Sequence, residues 1–538
     1  MPPQHLINID LAKIKVPATN GQKATTRVLA WGDEVEVVKI NAKDVEVKVT
    51  IFKPLDDGSV QPVRVSGFIT PSKASKIKPA ELVVPKKDSK ILKIDFVDVQ
   101  QGDGSVIETP KGKVLLIDGG DNQLFARYLA NRYRGTSATK PREIDCVVIT
   151  HGDADHFQGL TEIHDSETDQ RLNSSKWKRL FIHPQRIFHN GLVKRPKKKA
   201  NGQNRKETEM LGQTKTVKDP DTGKDITIIT GLEKDLLAVD DGELNLPFQK
   251  WKKALKDYKK RGPIKFRRLE KDDNAAFDFL QSENIDVQVL GPIITKVAAV
   301  KGLKFLGKPP GGPRIGQESL NLEGVGFKGS SASHTINGHS IIFRLNYGGF
   351  NFLFSGDLND EAGRVLAKAH SQGKLNLQSE VFKVPHHGSA DFSGAFIQAV
   401  SPVVSVVSSG DESARKEYIH PRATLVGALG KYSRVEEPLI FVTELVAFFN
   451  MEGFVRPEFH KLGTDGAALL ENGAAIVNSK AKSRFFAFSR TAFGIVMVRT
   501  DGERLLVYTN SGQAAMKEAY AYCINEFGKP EPTPIRQA

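Results

Sequence analysis

The chain has 538 residues, of which 39% are hydrophobic and 26% charged, so it is long enough for several domains and has the composition of an ordinary globular protein. No run approaches about eighteen consecutive apolar residues, and the first thirty residues lack the pattern of a signal peptide, which predicts no membrane span and a cytoplasmic location. The formal net charge of +14 favours contact with polyanions.

The chain has only two cysteines, too few for a disulfide framework. Cys146 lies in a predicted buried strand and Cys523 in a predicted terminal helix. Both are expected to be inert buried thiols, as is usual in a reducing compartment.

Residues 1–88 alternate apolar and polar positions, for example at 35–40 and 45–51, with a turn signal at 56–59. This pattern is typical of half-buried strands and predicts a small β-rich domain, barrel-like in character. The segments 72–79 and 85–89 are rich in lysine, serine and proline and are interpreted as the linker to the next domain.

Apolar runs separated by turns and helical patterns continue from residue 91 onwards. Strands are predicted at 91–99, 114–118, 147–149, 340–346, 350–354 and 403–407, and helices beginning at 157–163 and covering 360–372 and 396–400. Between about 186 and 333 the periodicity gives way to loops rich in glycine, proline and lysine, which indicates an insertion. Beyond 445 a hairpin at 493–499 and 503–508, turning at 501–502, and a helix at 513–526 are predicted.

Four potential metal ligands come directly after the predicted strand at 147–149, namely His151, Asp153, Asp155 and His156. Imidazoles and carboxylates are the side chains that bind hydrolytic divalent metals, and the small residues Gly152 and Ala154 leave room for alternate side chains to converge. The alternative interpretation is a solvated acidic loop after a strand.

Two further strands end in residues of the same type. The strand at 350–354 leads to Asp357, and another apolar run leads to the pair His386 and His387. Alone, an aspartate after glycine is usually a turn residue and a histidine pair is usually on the surface. Their recurrence at three strand ends predicts one metal site at one edge of a sheet sandwich.

These motifs resemble those of the metallo-β-lactamase superfamily, and more narrowly its competence-protein-like branch, the hydrolase domain attached to DNA-uptake channels. The resemblance covers about 91–425 and rests on the segments 99–103, 116–120, 151–156, 384–389 and 418–421. Gln100 and Ile419 depart from the pattern, because the branch usually has glycine at both positions.

The resemblance implies an α/β fold of the αββα metallo-β-lactamase type. The hydrolase would span 89–445 with the insertion at about 186–333, preceded by the β-rich domain at 1–88. Residues 446–538 would form a C-terminal α+β extension whose hairpin completes the hydrolase sheet.

The resemblance also implies two divalent metal ions. His151 and Asp153 are assigned to one ion, Asp155 and His156 to the other, and Asp357 to a bridge between them. One histidine of the 386–387 pair completes the second ion, with His386 assigned to the metal and His387 to the substrate.

The remaining site residues are assigned from the same comparison. Asp155 would accept a proton from the attacking water, and His387, Ser389 and His420 would hold phosphate oxygens. Asp118 is expected to order the ligand loop rather than to touch metal. A further ligand from His334 or His339, or from Asn337, stays open.

Many relatives have histidine at position 153, so the carboxylate of Asp153 favours Mn²⁺, with Zn²⁺ as the alternative.

Two basic segments, 194–199 and 251–261, carry much of the positive charge. In the second, Lys252, Lys256 and Lys259 would form one helix face with Trp251 and Tyr258 available for stacking on bases. The alternative is a solvated helix face and a basic loop.

The sequence therefore predicts a metal-dependent phosphodiesterase, of the nuclease type, with nucleic acid as substrate and protein partners unspecified. The alternatives are a hydrolase of a small phosphodiester or another ester, and a nucleic-acid- or protein-binding module on a hydrolase scaffold.

Overall fold

The structure is a computed structural model that describes residues 5–18, 24–54, 60–72, 76–220, 222–307, 329–410, 420–443, 470–471, 474–475, 494–510 and 518–538. Several predicted features fall wholly or partly outside these ranges. The turn at 56–59 lies outside them, as do residues 73–75 of the linker and residues 221 and 308–328 of the insertion. So do residues 418–419 of the segment 418–421, residue 493 of the hairpin, residues 513–517 of the predicted helix and much of the extension 446–538.

The N-terminal region is β-rich, as the alternating pattern predicts. Its strands are β1 (His5–Ile7), β2 (Leu11–Val16), β3 (Thr25–Ala30), β4 (Glu34–Ile40), β5 (Val45–Pro54), β6 (Val60–Ile69) and β7 (Val83–Pro85). They form one seven-stranded sheet in the order β3-β2-β6-β5-β4-β1-β7. Alternate residues of β2, such as Ala12 and Ile14, fill its small apolar core.

The later strands, in chain order, are β8 (Leu92–Phe96), β9 (Gly104–Glu108), β10 (Val114–Asp118), β11 (Arg142–Ile144), β12 (Cys146–Val148), β13 (Ile182–Pro184), β14 (Arg186–His189), β15 (Thr214–Lys218), β16 (Asp225–Ile229), β17 (Lys265–Arg268), β18 (Ile285–Gly291), β19 (Thr295–Val297), β20 (Val300–Lys304), β21 (Ile342–Tyr347), β22 (Phe350–Phe354), β23 (Val381–Lys383), β24 (Val404–Val407), β25 (Leu439–Val442), β26 (Leu470–Glu471), β27 (Ala474–Ala475), β28 (Ile495–Thr500), β29 (Arg504–Asn510), β30 (Ala519–Ile524) and β31 (Pro530–Thr533).

Two large sheets organise this part of the chain. One has ten strands in the order β17-β14-β12-β10-β9-β8-β28-β29-β30-β31, and the other has six in the order β18-β21-β22-β23-β24-β25. Successive side chains of a strand point to opposite faces, so each sheet has two faces to cover. In β10, Leu115 and Ile117 face the core shared with the six-stranded sheet, whereas Leu116 faces the opposite side.

Helices cover the outer faces of both sheets. They are α1 (Leu124–Arg132), α2 (Ala154–Thr168), α3 (Leu246–Lys259), α4 (Ala332–Gly338), α5 (Asp360–Ser371), α6 (Gly394–Val400) and α7 (Ala423–Tyr432). The first three contribute to the apolar layer on the ten-stranded sheet, and α5, α6 and α7 to the layer on the six-stranded sheet. The result is the αββα sandwich that the sequence predicts.

The segment 186–333 differs from the single insertion that its composition predicts. Its strands β14 and β17 are the edge pair of the ten-stranded sheet, and β18 is an edge strand of the six-stranded sheet. Only β15, β16, β19 and β20 form a separate small sheet. β14 and β17 have four residues each, too few for a clear pattern. β18 has seven, and the alternation of Ile285, Val287 and Val289 is a signal that could have identified it.

The C-terminal part joins the ten-stranded sheet through the predicted hairpin. β28 and β29 pair across the turn at 501–502, and β28 pairs antiparallel with β8. The terminal helix prediction is wrong over its described part, because β30 occupies 519–524 and pairs with β29 and β31. Cys523 therefore lies in a strand, and both cysteines are free thiols.

Within the described ranges, none of the helices is long and apolar enough to cross a bilayer.

Candidate metal centre

The candidate site lies where the carboxyl ends of strands from both sheets meet. β10 and β12 are parallel neighbours in one sheet, and β22 and β23 are parallel neighbours in the other. Because parallel strands end at the same edge, the segments that come after them are brought together. These segments carry the predicted ligands after β12, after β22 and after β23.

Asp357 lies at the centre of the cluster. Its Oδ1 is 3.2 Å from Nε2 of His156, and its Oδ2 is 3.3 Å from Nε2 of His387. The same Oδ2 lies 3.9 Å from Nε2 of His151. The same Nε2 of His387 is also 3.6 Å from Oδ2 of Asp155. One carboxylate thus has imidazoles on both of its oxygens.

Four atoms of this cluster are buried without a hydrogen-bond partner among the described residues. They are Nε2 of His151, His156 and His387, and Oδ1 of Asp357. A buried polar atom left unpaired costs about 1–3 kcal/mol, so four of them converging on one point require an explanation. Divalent cations fit it, because imidazole nitrogens and carboxylate oxygens are their usual ligands.

The described side chains form four overlapping groups of three possible ligands, of which two include Asp103 and the other two are called the ligand groups below. In the first, His151, His156 and Asp357 each offer an atom within 4.8 Å of the others; in the second, Asp155, His156 and His387 do so. The overlap at His156 and the central position of Asp357 are compatible with two ions.

The charges of the cluster shift one another's proton affinities. Burial alone would lower the pKa of His156 and of His387. Asp357 nevertheless raises both pKa values well above the ordinary range, together with Asp118 for His156 and Asp103 for His387. Burial and the neighbouring His156 lower the pKa of His151. Burial would raise the pKa of Asp357, yet His387, His156 and His386 hold that pKa well below its usual range. Metal binding here would therefore release protons.

Asp118 orders the ligand loop, the role predicted from its place at the end of β10. Its Oδ1 accepts from the backbone N–H of Thr150 at 2.8 Å, and its Oδ2 accepts from the Thr150 hydroxyl at 2.7 Å. The same oxygen is 2.9 Å from Nδ1 of His156. This contact fixes the imidazole so that Nε2 faces Asp357.

Asp103 and Lys383 form a second support that the sequence analysis did not identify. Asp103 Oδ1 lies 3.2 Å from Nδ1 of His387, and its Oδ2 accepts from the Lys383 ammonium. Both side chains are buried. Asp103 was visible as the last residue of the 99–103 motif, but nothing local paired it with Lys383, 280 residues away.

Asp153 lies beside the cluster but is paired elsewhere. Lys194 donates to Asp153 Oδ1 at 2.7 Å, and Asp153 belongs to neither of the two ligand groups. Asp155 accepts instead from the side-chain amide of Gln101 at 3.1 Å. Gly102 permits this approach, because a Cβ at its φ of +104° would lie 1.8 Å from the backbone oxygen of Asp155.

The geometry brings His387, rather than His386, into the ligand groups. His386 is 22% exposed, and its Nε2 is 4.0 Å from Asp357 Oδ2 and 3.4 Å from Nδ2 of Asn337. This geometry favours His387 over His386 as a metal ligand, the reverse of the expectation from sequence. The backbone conformation of the loop after β23 determines which of the two histidines faces Asp357. The sequence alone does not, because adjacent side chains point in different directions.

The other predicted substrate-binding groups lie around His386. The ring of His420 is centred 6.3 Å from that of His386, and burial together with His386 lowers the pKa of His420 to about 3. The Ser389 hydroxyl accepts from the backbone N–H of Asp391 at 3.2 Å.

Neither open histidine lies among the ligands. Nε2 of His339 is 2.7 Å from the backbone oxygen of Lys304, and Nε2 of His334 is 3.0 Å from Asp391 Oδ2. Both rings belong to contacts outside the two ligand groups.

Several non-glycine residues of the site adopt left-handed backbone conformations. Asp118, His386 and His387 have φ values of +57°, +51° and +53°, and Gln100 has φ of +60°. Such conformations cost about 1–2 kcal/mol each for residues with a Cβ and cluster at functional sites. The value at Gln100 is one that glycine adopts without strain, which fits the glycine that the resemblance leads one to expect at this position.

The basic helix predicted for nucleic-acid stacking is present as α3, but its aromatic residues point inward. Trp251 and Tyr258 are 1% and 0% exposed and belong to the core on the ten-stranded sheet. Lys252 is also buried and donates to the backbone oxygen of Val239. The stacking prediction is wrong, because the apolar face of the helix takes both rings into the core.

Known proteins resemble part of this chain. Residues 97–243 match the family model described as Metallo-beta-lactamase superfamily. A stretch of 86 residues, 16% of this chain, is 40% identical to a part covering 12% of the competence protein ComA of Neisseria gonorrhoeae. Another of 98 residues, 18% of this chain, is 29% identical to 12% of the ComE operon protein 3 of Bacillus subtilis (strain 168). The chain thus spans about an eighth of the length of these curated relatives.

Proposed function

Because the chain carries a metallo-β-lactamase superfamily hydrolase domain, with residues 97–243 matching the family model, we propose that it is a divalent-metal-dependent phosphodiesterase that acts on nucleic acid. The observation that carries this proposal is the position of Asp357, whose two oxygens face His156 and His387 at 3.2 and 3.3 Å. A carboxylate in this position is suited to bridge two ions.

We assign His151 and His156 to one ion and Asp155 and His387 to the other, with Asp357 between them. When bound, two divalent ions roughly 3.5–4 Å apart acidify water and stabilise both the attacking and the leaving oxygens of a phosphodiester. The burial of the three histidines and of Asp357 keeps bulk water from competing for these positions.

The protein's own groups supply proton transfer and substrate orientation. Burial by itself would raise the pKa of Asp155, but its contacts with His387 and His156 lower it, so this carboxylate is ionised at neutral pH. Its proposed role as proton acceptor rests on its place in a ligand group, because the lowered pKa by itself makes it a weaker base. His386, partly exposed beside His420, is placed to donate a hydrogen bond to a non-bridging phosphate oxygen.

The test is metal stoichiometry combined with turnover. Protein purified without chelator and reconstituted with Mn²⁺ is expected to bind two ions per chain and to cleave both bis(4-nitrophenyl) phosphate and labelled oligonucleotides. Asp357→Ala should lose at least one ion and the turnover of both substrates, whereas Asp278→Ala, at an exposed carboxylate outside the site, should retain them.

Two outcomes would contradict the proposal. If wild-type protein never binds more than trace metal, the assignment of the cluster as a metal centre is wrong. Turnover of the small phosphodiester without cleavage of any single-stranded or double-stranded DNA or RNA would instead support the small-substrate alternative.

A further inference from the structure

A large polar cleft lies outside the metal centre, between the segment after β14 and the small sheet of β15, β16, β19 and β20. Its volume is about 1060 Å³. Four cationic side chains line it, Arg195, Arg205, Lys215 and Lys301, and we call it the basic cleft. Two glutamates, Glu209 and Glu243, also line it.

The basic cleft lies in the most positively charged part of the chain. Residues 194–215 contain eight lysines and arginines against two glutamates, a net charge of +6 out of +14 for the whole chain. This concentration is greater than solubility requires and gives the cleft a positive potential suited to a polyanion.

The two arginines are held in place before any ligand arrives. Arg195 and Arg205 both donate to the single carboxylate of Glu243, and their side chains are only 13% and 10% exposed. Arg195 also lies 3.7 Å from Oε1 of Glu233, whereas Glu243 is the one carboxylate within ion-pair distance of Arg205 among the described residues. Within the described residues, Nε of the nine-tenths buried Arg205 has no hydrogen-bond partner. A preorganised guanidinium with a free donor is suited to a phosphate oxygen.

The segment that lines the basic cleft begins beside the metal centre. Lys194, which precedes Arg195, donates to Asp153 at 2.7 Å, and Asp153 is two residues from the ligand Asp155. The backbone N–H of Arg195 donates to the oxygen of Met210, which ties this segment to the wall of the cleft. A chain bound at the metal centre therefore has a cationic surface to contact next to it.

From these observations we propose that the basic cleft binds the sugar-phosphate backbone of a nucleic-acid strand whose scissile phosphodiester lies at the metal centre. The inference rests on the proposed function and extends it by naming the surface that holds the strand. Phosphate is favoured over a carboxylate-rich polypeptide because the cleft adjoins a centre suited to phosphodiesters and presents two planar guanidinium groups.

The experiment measures binding separately from cleavage. In the cleavage-deficient Asp357→Ala background, the dissociation constant of a labelled 30-nucleotide single strand is measured by fluorescence anisotropy over a series of salt concentrations. Lys215→Glu combined with Lys301→Glu should weaken binding at least about 10-fold and reduce the salt slope by roughly 1.4–1.8, since each lost phosphate contact removes about 0.7–0.9. Gln213→Glu, which adds a negative charge in the cleft without disturbing an ion pair, should weaken binding in the same direction.

The matched control is Lys368→Glu combined with Lys374→Glu, two exposed lysines in the last turn of α5 and just beyond it. This variant carries the same change in net charge and should retain the salt slope of the parent. Circular dichroism checks that every variant is folded.

Each outcome has a separate meaning. Unchanged oligonucleotide affinity in both cleft variants, or equal weakening in the control, overturns the cleft assignment. Displacement of the oligonucleotide by polyglutamate at equal charge concentration overturns the nucleic-acid occupant in favour of an acidic polypeptide. When the cleft substitutions are made in the wild-type protein instead of the Asp357→Ala background, cleavage of the 30-mer should fall by a larger factor than cleavage of bis(4-nitrophenyl) phosphate. Failure of wild-type protein to cleave the small ester overturns the proposed function instead.

Discussion

The buried pair of Asp103 and Lys383 holds His387 from behind. Removing one member of a buried ion pair leaves an uncompensated charge and costs about 3–5 kcal/mol. Asp103→Asn should therefore destabilise the protein by an amount of this order, measured by urea denaturation. Asp103 Oδ1 lies 3.2 Å from Nδ1 of His387, while the hydrogen bond of this nitrogen goes to the backbone oxygen of Ser408. Metal binding should therefore weaken by about 10-fold, the lower end of the usual effect of losing a group behind a ligating histidine, because the Ser408 contact remains.

A second variant separates stability from orientation. Lys383→Met in the Asp103→Asn background removes the stranded charge, so the double variant should recover most of the stability but none of the metal affinity. If metal affinity returns with stability, Asp103 acts only as a structural partner of Lys383 and does not position His387.

The ion pair between Lys194 and Asp153 decides whether Asp153 can serve as a metal ligand. A Mn²⁺ preference was expected from a hard carboxylate at this position. If Lys194 keeps Asp153 away from the metal, Asp153→Ala should change the metal affinity by less than about threefold. Lys194→Met should then release the carboxylate and raise the Mn²⁺ affinity relative to Zn²⁺. Competition titrations of both ions against a chelating indicator measure both effects.

Loss of a full equivalent of metal in Asp153→Ala would contradict this prediction and return Asp153 to the ligand set. Asp155→Ala provides the comparison. Asp155 lies in a ligand group, so its removal should reduce the number of metal ions bound per chain by one.

At the scale of single elements, α3 shows that helical spacing does not predict which lysines of one face are exposed. Its lysines at 252, 256 and 259 share a helical face by spacing, yet only Lys252 is buried, where it donates to the Val239 carbonyl. Lys252→Ala should destabilise the protein by about 1–3 kcal/mol, since it leaves a buried backbone oxygen unpaired. Lys256→Ala, at an exposed position of the same helix, should stay within about 0.5 kcal/mol of wild type.

Thermal and urea unfolding of the two variants compares them directly. Equal stability of Lys252→Ala and Lys256→Ala would show that the contact with Val239 contributes nothing. Oligonucleotide binding by Lys256→Ala is a separate measurement, and a strong loss there would restore the helix face as a nucleic-acid contact.

At the scale of the whole molecule, the C-terminal strands are tied to the start of the hydrolase by Asp95. On β8, Asp95 accepts from Arg499 of β28 at 2.7 Å and from Tyr128 of α1 at 2.6 Å, and Arg132 also donates to it. Burial by itself would raise the pKa of Asp95, but the two arginines and the tyrosine hydroxyl hold it below its usual range.

Because this pKa is lowered, the contribution of the Asp95 contacts to the free energy of unfolding depends on pH. A carboxyl group whose pKa is lower in the folded state than in the unfolded state stabilises the fold above its unfolded value, about 3.9 for aspartate, and loses that contribution as the pH falls through the folded value. Asp95→Asn should therefore have a much lower melting temperature than wild type at pH 7, with the gap narrowing below about pH 4. Asp278→Asn, at an exposed position, should show no gap at either pH. A gap for Asp95→Asn that stays constant from pH 7 to pH 3 would contradict the prediction.

The sequence by itself determined the ligand types, their placement at strand ends and the layered fold, because these depend on patterns within a few residues of one another. Alternating apolar positions identify buried strands, and four ligand-type residues within six positions identify a metal-binding loop. The hairpin at 493–508 was equally local, since its turn and both strands are contiguous.

Only the tertiary structure decided which atoms meet. The choice of His387 over His386 depends on the backbone of one loop, and the partners Asp103 with Lys383 and Asp153 with Lys194 are far apart in the chain. The same holds for β14 and β17, whose four residues each are too few to be identified without the neighbouring strands that bury them. It also holds for β30, whose residues form a strand because the edge of β29 supplies their hydrogen bonds. A charge or a short apolar run has no preferred partner in the sequence, and it acquires one only when the fold fixes distance and burial.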